Sequence, residues 1–171
     1  MTKIFFDCET DGLLLDMTQV HCIATIIDDG EVQSFGPDEL EQGVKELCQA
    51  DILVSHNLIN FDLPALAKFP STAGIRECDA SCYDTLIVSR LLWPDIREDD
   101  YRRMHTKDRS DFPKDCFGSH SLKAWGCRLG FTKGLYLQEQ GYKEYTEDMA
   151  DYCRRDTEVL RFLYHHLESG R

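Results

Sequence analysis

The stretch Lys3-Ile4-Phe5-Phe6-Asp7-Cys8-Glu9-Thr10-Asp11-Gly12-Leu13 constrains the fold more than any other part of the chain. Ile4, Phe5 and Phe6 form a continuous run of β-formers, the pattern of a strand covered on both faces. Two carboxylates follow, Asp7 and Glu9. Side chains two apart on a strand point the same way, so these two converge while Cys8 faces the other side. Like charges at the end of a buried strand repel and resist desolvation. A divalent cation is the simplest way to offset that cost. The alternative is a solvated strand end running into the Asp11-Gly12 turn, and this stretch alone leaves both open.

The remaining pattern predicts one α/β domain. Val20–Ile27 and Glu31–Phe35 read as second and third strands about an Asp28-Asp29-Gly30 turn, an antiparallel meander. Asp38–Ala50 reads as an amphipathic helix, with Leu40, Val44, Leu47 and Cys48 on its apolar face, and Ile52–Val54 as a short buried strand. A helix between strands calls for a parallel crossover, so the expected sheet is mixed. The next helix is expected over 62–69, with Asn60 as its N-cap and Pro64 in the first turn. Asp62 at its start is either a ligand or a support for the positive helix terminus.

Further helices are expected over 83–93, capped by Asp84 and Thr85, over 119–129, capped by Ser119 and closed by Gly130, and from Thr146 onward. Between Pro94 and Gly118 the pattern breaks into a charged segment, read as a long loop. It carries Arg97, Arg102, Arg103, Lys107, Arg109 and Lys114, interleaved with acids and with Tyr101, Phe112 and Phe117. A solvated connector is the simpler reading; a flap that touches phosphates is the functional one. Residues 133–145 read as irregular.

The last helix carries an apolar stripe of Met149, Tyr152, Cys153, Leu160, Leu163, Tyr164 and Leu167. Continuing that spacing puts Asp156 on the stripe, one turn after Tyr152. A carboxylate on the buried face of a regular helix is costly unless something compensates it. Asp7 with Glu9, Asp62 and Asp156 therefore each stand where their own element would choose otherwise. Four oxygen donors on three elements suit Mg²⁺ or Mn²⁺, and two such ions catalyse attack of water on a phosphodiester. A nearby Tyr hydroxyl can orient that water.

Composition narrows the class. The chain has 171 residues, 42% of them hydrophobic, which suits one domain of ordinary core size. No apolar run reaches membrane-spanning length and no secretory leader is expected, so the expected compartment is the cytoplasm, or the host cytoplasm for a phage protein. The net charge of −12 argues against indiscriminate coating of nucleic acid, yet not against an enzyme that meets it at bound cations. The eight cysteines read mainly as structural thiols; Cys78-x3-Cys82 and Cys116-x3-His120 only approximate a zinc spacing.

Asp7-x-Glu9-Thr10, Asn57-x4-Asp62 and Tyr152-x3-Asp156 resemble, in order and spacing, the three motifs of DEDD-type 3′→5′ exonucleases of the DnaQ-like, ribonuclease-H-like superfamily. The Tyr four before the last Asp marks the DEDDy branch. His56-Asn57…Phe61-Asp62-Leu63-Pro64-Ala65-Leu66, Cys82-Tyr83-Asp84-Thr85-Leu86 and Phe117-Gly118-Ser119-His120-Ser121-Leu122-Lys123-Ala124-Trp125-Gly126 resemble the proofreading domains of family-A DNA polymerases of tailed phages. The resemblance implies a mixed five-stranded sheet flanked by helices. It implies that Asp7, Glu9 and Asp156 ligate one Mg²⁺ or Mn²⁺, that Asp7 bridges to a second supported by Asp62, and that Tyr152 positions the nucleophile. It implies that Leu13 wedges against the terminal base, that Asn57, His56 and Phe61 contact the terminal nucleotides, and that Thr10 supports the 3′ end through its backbone. For Leu13 and Phe61, membership of the core is the alternative.

The expected substrate is the 3′ end of DNA, single-stranded or frayed, with RNA as the runner-up and a separate DNA polymerase as an expected partner. Such domains are normally joined to a polymerase, so residues 1–171 are expected to form a single exonuclease domain that is free-standing or works beside a separate polymerase; a cut-out domain is the third alternative, against which Gly170-Arg171 reads as a natural end. The other reading, from a different class, is a silent module of the same fold that binds a polymerase or nucleic acid; the intact Asp7, Glu9, Asp62, Asp156 and Tyr152 speak against it.

Overall fold

The computed structural model describes residues 1–104, 112–131 and 143–170. Five strands make one sheet in the order β3-β2-β1-β4-β5. Central β1 (Lys3–Thr10) pairs antiparallel with β2 (Val20–Ile27), and β2 pairs antiparallel with β3 (Val32–Phe35). On its other side β1 pairs parallel with β4 (Ile52–Ser55), which pairs parallel with β5 (Ser81–Asp84). The mixed five-stranded sheet flanked by helices is the ribonuclease-H-like fold that the motifs imply.

The alternation along β1 divides the core in two. Ile4, Phe6 and Cys8 pack with Leu47, Leu58, Ala65 and Leu66 on the side of α1 (Leu40–Leu47) and α2 (Leu63–Lys68). Phe5 packs on the opposite side with Leu160, Leu163, Tyr164 and Leu167 of α6 (Glu147–Ser169). Trp125 of α5 (Leu122–Leu129) joins this second cluster and meets Trp93 edge to face at 5.4 Å. At Glu9/Thr10 the β1–β2 register slips by one residue, from Glu9↔Cys22 to Thr10↔Val20. Such a bulge sharpens the local twist and re-aims the side chains beside it.

Several local expectations differ from the structure. Asn60 does not cap the helix bearing Asp62. The chain turns helical earlier, in a wide π-type turn over Leu58–Asp62 that runs straight into α2, with Asn57 left-handed at φ 75° before it. Tyr83 and Asp84 belong to β5, so the following helix, α3, spans Thr85–Leu92; Asp84 caps it as expected. The cap of α5 is Ser121, which accepts from the Ala124 N–H, while the Ser119 hydroxyl accepts from the Ser121 N–H. Thr146 caps α6 and Gly130 closes α5 at φ 90°, both as the sequence predicts.

The charged segment is also not all loop. It contains α4 (Ile96–Met104), a helix with few apolar residues. What anchors it is Asp100, which receives two bonds from Arg128 of α5, at 2.9 and 2.7 Å, and one from the Gly118 N–H at 2.9 Å. Lys107 and Arg109 of that segment, and residues 133–142 of the stretch expected to be irregular, lie outside the described residues. No helix among the described residues is long and apolar enough to cross a membrane.

Candidate active site

Three elements bring four carboxylates to one end of the sheet. Asp7 and Glu9 leave β1 with the same parity as Phe5, toward α6. Asp156 is only 8% exposed on the inner face of α6, and its carboxylate accepts a hydrogen bond from the Tyr152 hydroxyl one turn earlier. Asp62 arrives from the other side of the sheet. Its Oδ1 accepts from the Cys8 thiol at 3.5 Å and its Oδ2 from the Ser55 hydroxyl at 3.0 Å. Cys8 faces away from Asp7, as the alternation requires, so Asp62 reaches around the strand end rather than sharing a face with the other three.

The electrostatics follow from this crowding. Burial, then the charges of Glu9, Asp156 and Asp62, push the Asp7 carboxyl well above its usual range. Glu9 rises to about 8 through burial and the charges of Asp156 and Asp62. Asp62 rises to about 7 through burial, opposed by its bonds from Ser55 and Cys8. Asp156 rises to about 6 through burial, opposed by the bond from Tyr152. The Tyr152 hydroxyl is driven upward by burial and by Asp156 and Glu9, so it stays protonated.

No ion pair holds any of the four carboxylates among the described residues, and Asp156 Oδ1 is buried without a hydrogen-bond partner. Repelling carboxylates without a basic partner, plus an orphaned buried oxygen, fit hard divalent cations. Asp7, Glu9 and Cys153 present ligand atoms within 4.8 Å of one another. The Cys153 thiol donates to the Asp7 backbone carbonyl at 3.4 Å, and burial above all raises it, which keeps it protonated. Neither zinc-like cysteine spacing forms a ligand cluster among the described residues.

The other singled-out residues fall into two groups. Thr10 is buried and its hydroxyl donates to the Gly12 carbonyl at 2.8 Å, while Asp11 accepts from the Thr18 and Gln19 N–H groups. Together these bonds fix the turn that lifts Leu13 out to 73% exposure. Phe61 is half-buried against the α1–α2 side of the core. Asn57 is half-buried at the start of the π-type turn. The Nδ1 of His56 bonds the Thr85 hydroxyl at 2.9 Å, and its buried Nε2 has no hydrogen-bond partner among the described residues. Burial lowers that ring to about 4, so it is neutral.

Sequence reasoning missed the groups that hold Asp62 and its turn. Ser55 had one signal, a hydroxyl at the end of the apolar run Ile52-Leu53-Val54. Asp84 reads as a helix cap, yet it also accepts from the Asn57 and Ile59 N–H groups, both at 3.1 Å, and so fixes the turn bearing Asp62.

No family model matches the chain. It is 34% identical to the DNA-directed DNA polymerase of Enterobacteria phage T3, over 96% of this chain and 26% of that protein. It is 32% identical to the DNA-directed DNA polymerase of Escherichia phage T7, over 98% of this chain and 27% of that protein. The chain thus spans about a quarter of the length of these relatives. Among solved structures, the zinc-bound E. coli ExoI–ssDNA complex matches with a TM-score of 0.51 and 15% identity, over 98% of this chain and 43% of that one. The chain has the ribonuclease-H-like fold and is homologous over nearly its whole length to a stretch of the T3 and T7 DNA polymerases.

Proposed function

We propose that residues 1–171 act as a metal-dependent 3′→5′ exonuclease domain of the DEDDy type, releasing nucleoside 5′-monophosphates from DNA 3′ ends. The observation that carries this reading is the convergence of Asp7, Glu9, Asp62 and Asp156, with no basic partner among the described residues, beside a Tyr152 hydroxyl bonded to Asp156. Homology to phage DNA polymerases supports DNA as the substrate, with proofreading beside a polymerase in the host cytoplasm as the setting.

Asp7, Glu9 and Asp156 would hold one Mg²⁺ or Mn²⁺, and Asp7 with Asp62 a second. When bound, these ions lower the pKa of water and neutralise charge on the leaving oxygen. The chain's own residues do the rest. Tyr152 stays protonated, so it cannot take the proton of the attacking water; it donates to Asp156 and its lone pairs accept from the water, which orients it. Ser55 and Cys8 fix the angle of the Asp62 carboxylate. Leu13, exposed on a turn tied by Thr10 and Asp11, would press on the terminal base, while Asn57 and Phe61 would flank the terminal nucleotides. Water adds to phosphorus, the bond to the 3′ oxygen breaks, and that oxygen leaves as a protonated 3′ hydroxyl on the shortened strand.

The test is a 5′-labelled single-stranded oligonucleotide, DNA and RNA in parallel, with Mg²⁺, Mn²⁺ or EDTA. A ladder shortening from the 3′ end of DNA, absent with EDTA, is the expected result. Endonucleolytic fragments or shortening from the 5′ end overturn the reading; faster shortening of RNA replaces DNA as the substrate.

A further inference from the structure

A groove of about 620 Å³ opens between α4 and the short helical turn Lys114–Cys116. Arg97, Tyr101, Arg102, Phe112, Lys114 and Phe117 line it, and Glu98 is the acid in its wall. Among the described residues that line it, three cations stand against one acid in a chain of net charge −12. Arg97 and Lys114 form no ion pair among the described residues. Arg102 meets Glu98 and Asp99 only in exposed pairs at 3.5 and 3.1 Å, which contribute little and exchange readily for another anion.

The aromatic groups are interleaved with these charges. The Arg97 guanidinium lies 5.8 Å from the Phe117 ring centroid, and Arg128 lies 5.7 Å from that of Phe112. Beneath the groove the buried Asp100–Arg128 pair ties α4 to α5. Arg128 also donates to the Cys116 carbonyl at 3.3 Å, and Asp100 accepts from the Gly118 N–H. Breaking a buried pair is costly, so the two walls keep a fixed spacing.

We propose that this groove binds single-stranded nucleic acid. Arg97, Arg102 and Lys114 take backbone phosphates, and Tyr101 and Phe117 stack on bases. Spaced cations with aromatic faces between them are what a sequence-tolerant single-strand site needs. The proposal extends the exonuclease reading to a second contact with the strand, and the binding itself does not depend on that reading.

The test is fluorescence anisotropy of labelled oligothymidylate of roughly sixteen nucleotides with the full chain in EDTA, titrated at several salt concentrations. Replacing Arg97, Arg102 and Lys114 together by Gln is expected to weaken binding more than tenfold. It should also flatten the slope of log affinity against log salt by about 0.7 for each phosphate that is no longer neutralised. Tyr101→Ala is expected to weaken binding about tenfold while leaving the salt slope in place. All four side chains are exposed, and a melting temperature near that of the wild type confirms that the variants fold. Unchanged affinity and slope in the triple variant overturn the proposal. So does a dimer in light scattering that Tyr101→Ala dissociates, which would give the groove to a second copy. The wild-type ladder assay separates the two readings. Binding without a ladder overturns the exonuclease alone, and a ladder with unaltered binding in the triple variant overturns the groove alone.

Discussion

The Cys8 thiol donates to Asp62 Oδ1 at 3.5 Å, from the face of β1 opposite to the one that carries Asp7 and Glu9. With the Ser55 hydroxyl on Oδ2 at 3.0 Å, it holds Asp62 at both oxygens. Groups behind a ligand commonly set its orientation, and their loss costs roughly ten- to a hundredfold in metal affinity or activity. Ser55→Ala is therefore expected to raise the Mg²⁺ concentration for half-maximal activity by roughly tenfold or more. Cys8→Ala should do so by less, because a thiol is the weaker donor. Metal titrations of the rate check both, and wild-type half-saturation in Ser55→Ala would refute the orienting role.

Tyr152→Phe removes one hydroxyl and no ligand. Turnover should fall by about a hundredfold, the scale of a misplaced reactant, while half-saturation by Mn²⁺ stays within about twofold. Asp156→Asn, in contrast, should raise half-saturation sharply. Single-turnover rates over a Mn²⁺ series separate the two outcomes.

The raised carboxyls make a pH prediction for the metal-free chain. Asp156, Asp62 and Glu9 titrate at about 6, 7 and 8 when folded, above their ordinary values of 3.8, 3.8 and 4.5. A folded pKa above the unfolded one contributes stability that is complete at low pH and is lost as pH rises through the folded value. In EDTA, Tm should therefore fall between about pH 4 and pH 8 through these groups. Added Mg²⁺ should raise Tm more at pH 8 than at pH 5, since ligands must be deprotonated. Asp7→Asn should flatten the EDTA profile and raise Tm at pH 8, while abolishing cleavage. Differential scanning calorimetry across the range reads all three, and a flat wild-type profile would remove the electrostatic argument.

Arg128→Met leaves Asp100 buried and unpaired. Unfolding free energy should drop by about 3–5 kcal/mol, and the double change with Asp100→Leu should recover most of the loss. Urea denaturation of the two variants and the wild type measures it. A double variant no better than the single one would mean that the Gly118 N–H bond to Asp100 matters more than the charge pair.

What was legible in the sequence is what depends on local chemistry. β1 with its paired carboxylates follows from alternation, Asp156 from the period of α6, and the caps Asp84 and Thr146 from their residue types. What was not legible depends on partners far along the chain. α4 is highly charged and is held by Asp100 reaching Arg128, a pairing that no local window contains. β5 is four residues long and mostly accessible, and it exists because β4 offers it a parallel edge. Asp62 stands out in the sequence as a misplaced carboxylate, and the structure buries it. Its approach from the opposite face depends on the π-type turn that the Asp84 carboxylate fixes, and turns of that width have no simple residue signature.

That same Asp84 carboxylate has a consequence for how the molecule breathes. It accepts from four amides on two segments: Asn57 at 3.1 Å and Ile59 at 3.1 Å ahead of Asp62, and Leu86 at 3.0 Å and Ile87 at 3.4 Å in α3. One side chain is thus the common latch of both. Amides so joined open as a unit, and in deuterium exchange these four should lose protection together, at one free energy rather than four. The turn bearing Asp62 then has no slow motion of its own: it is as still, or as restless, as the first turn of α3.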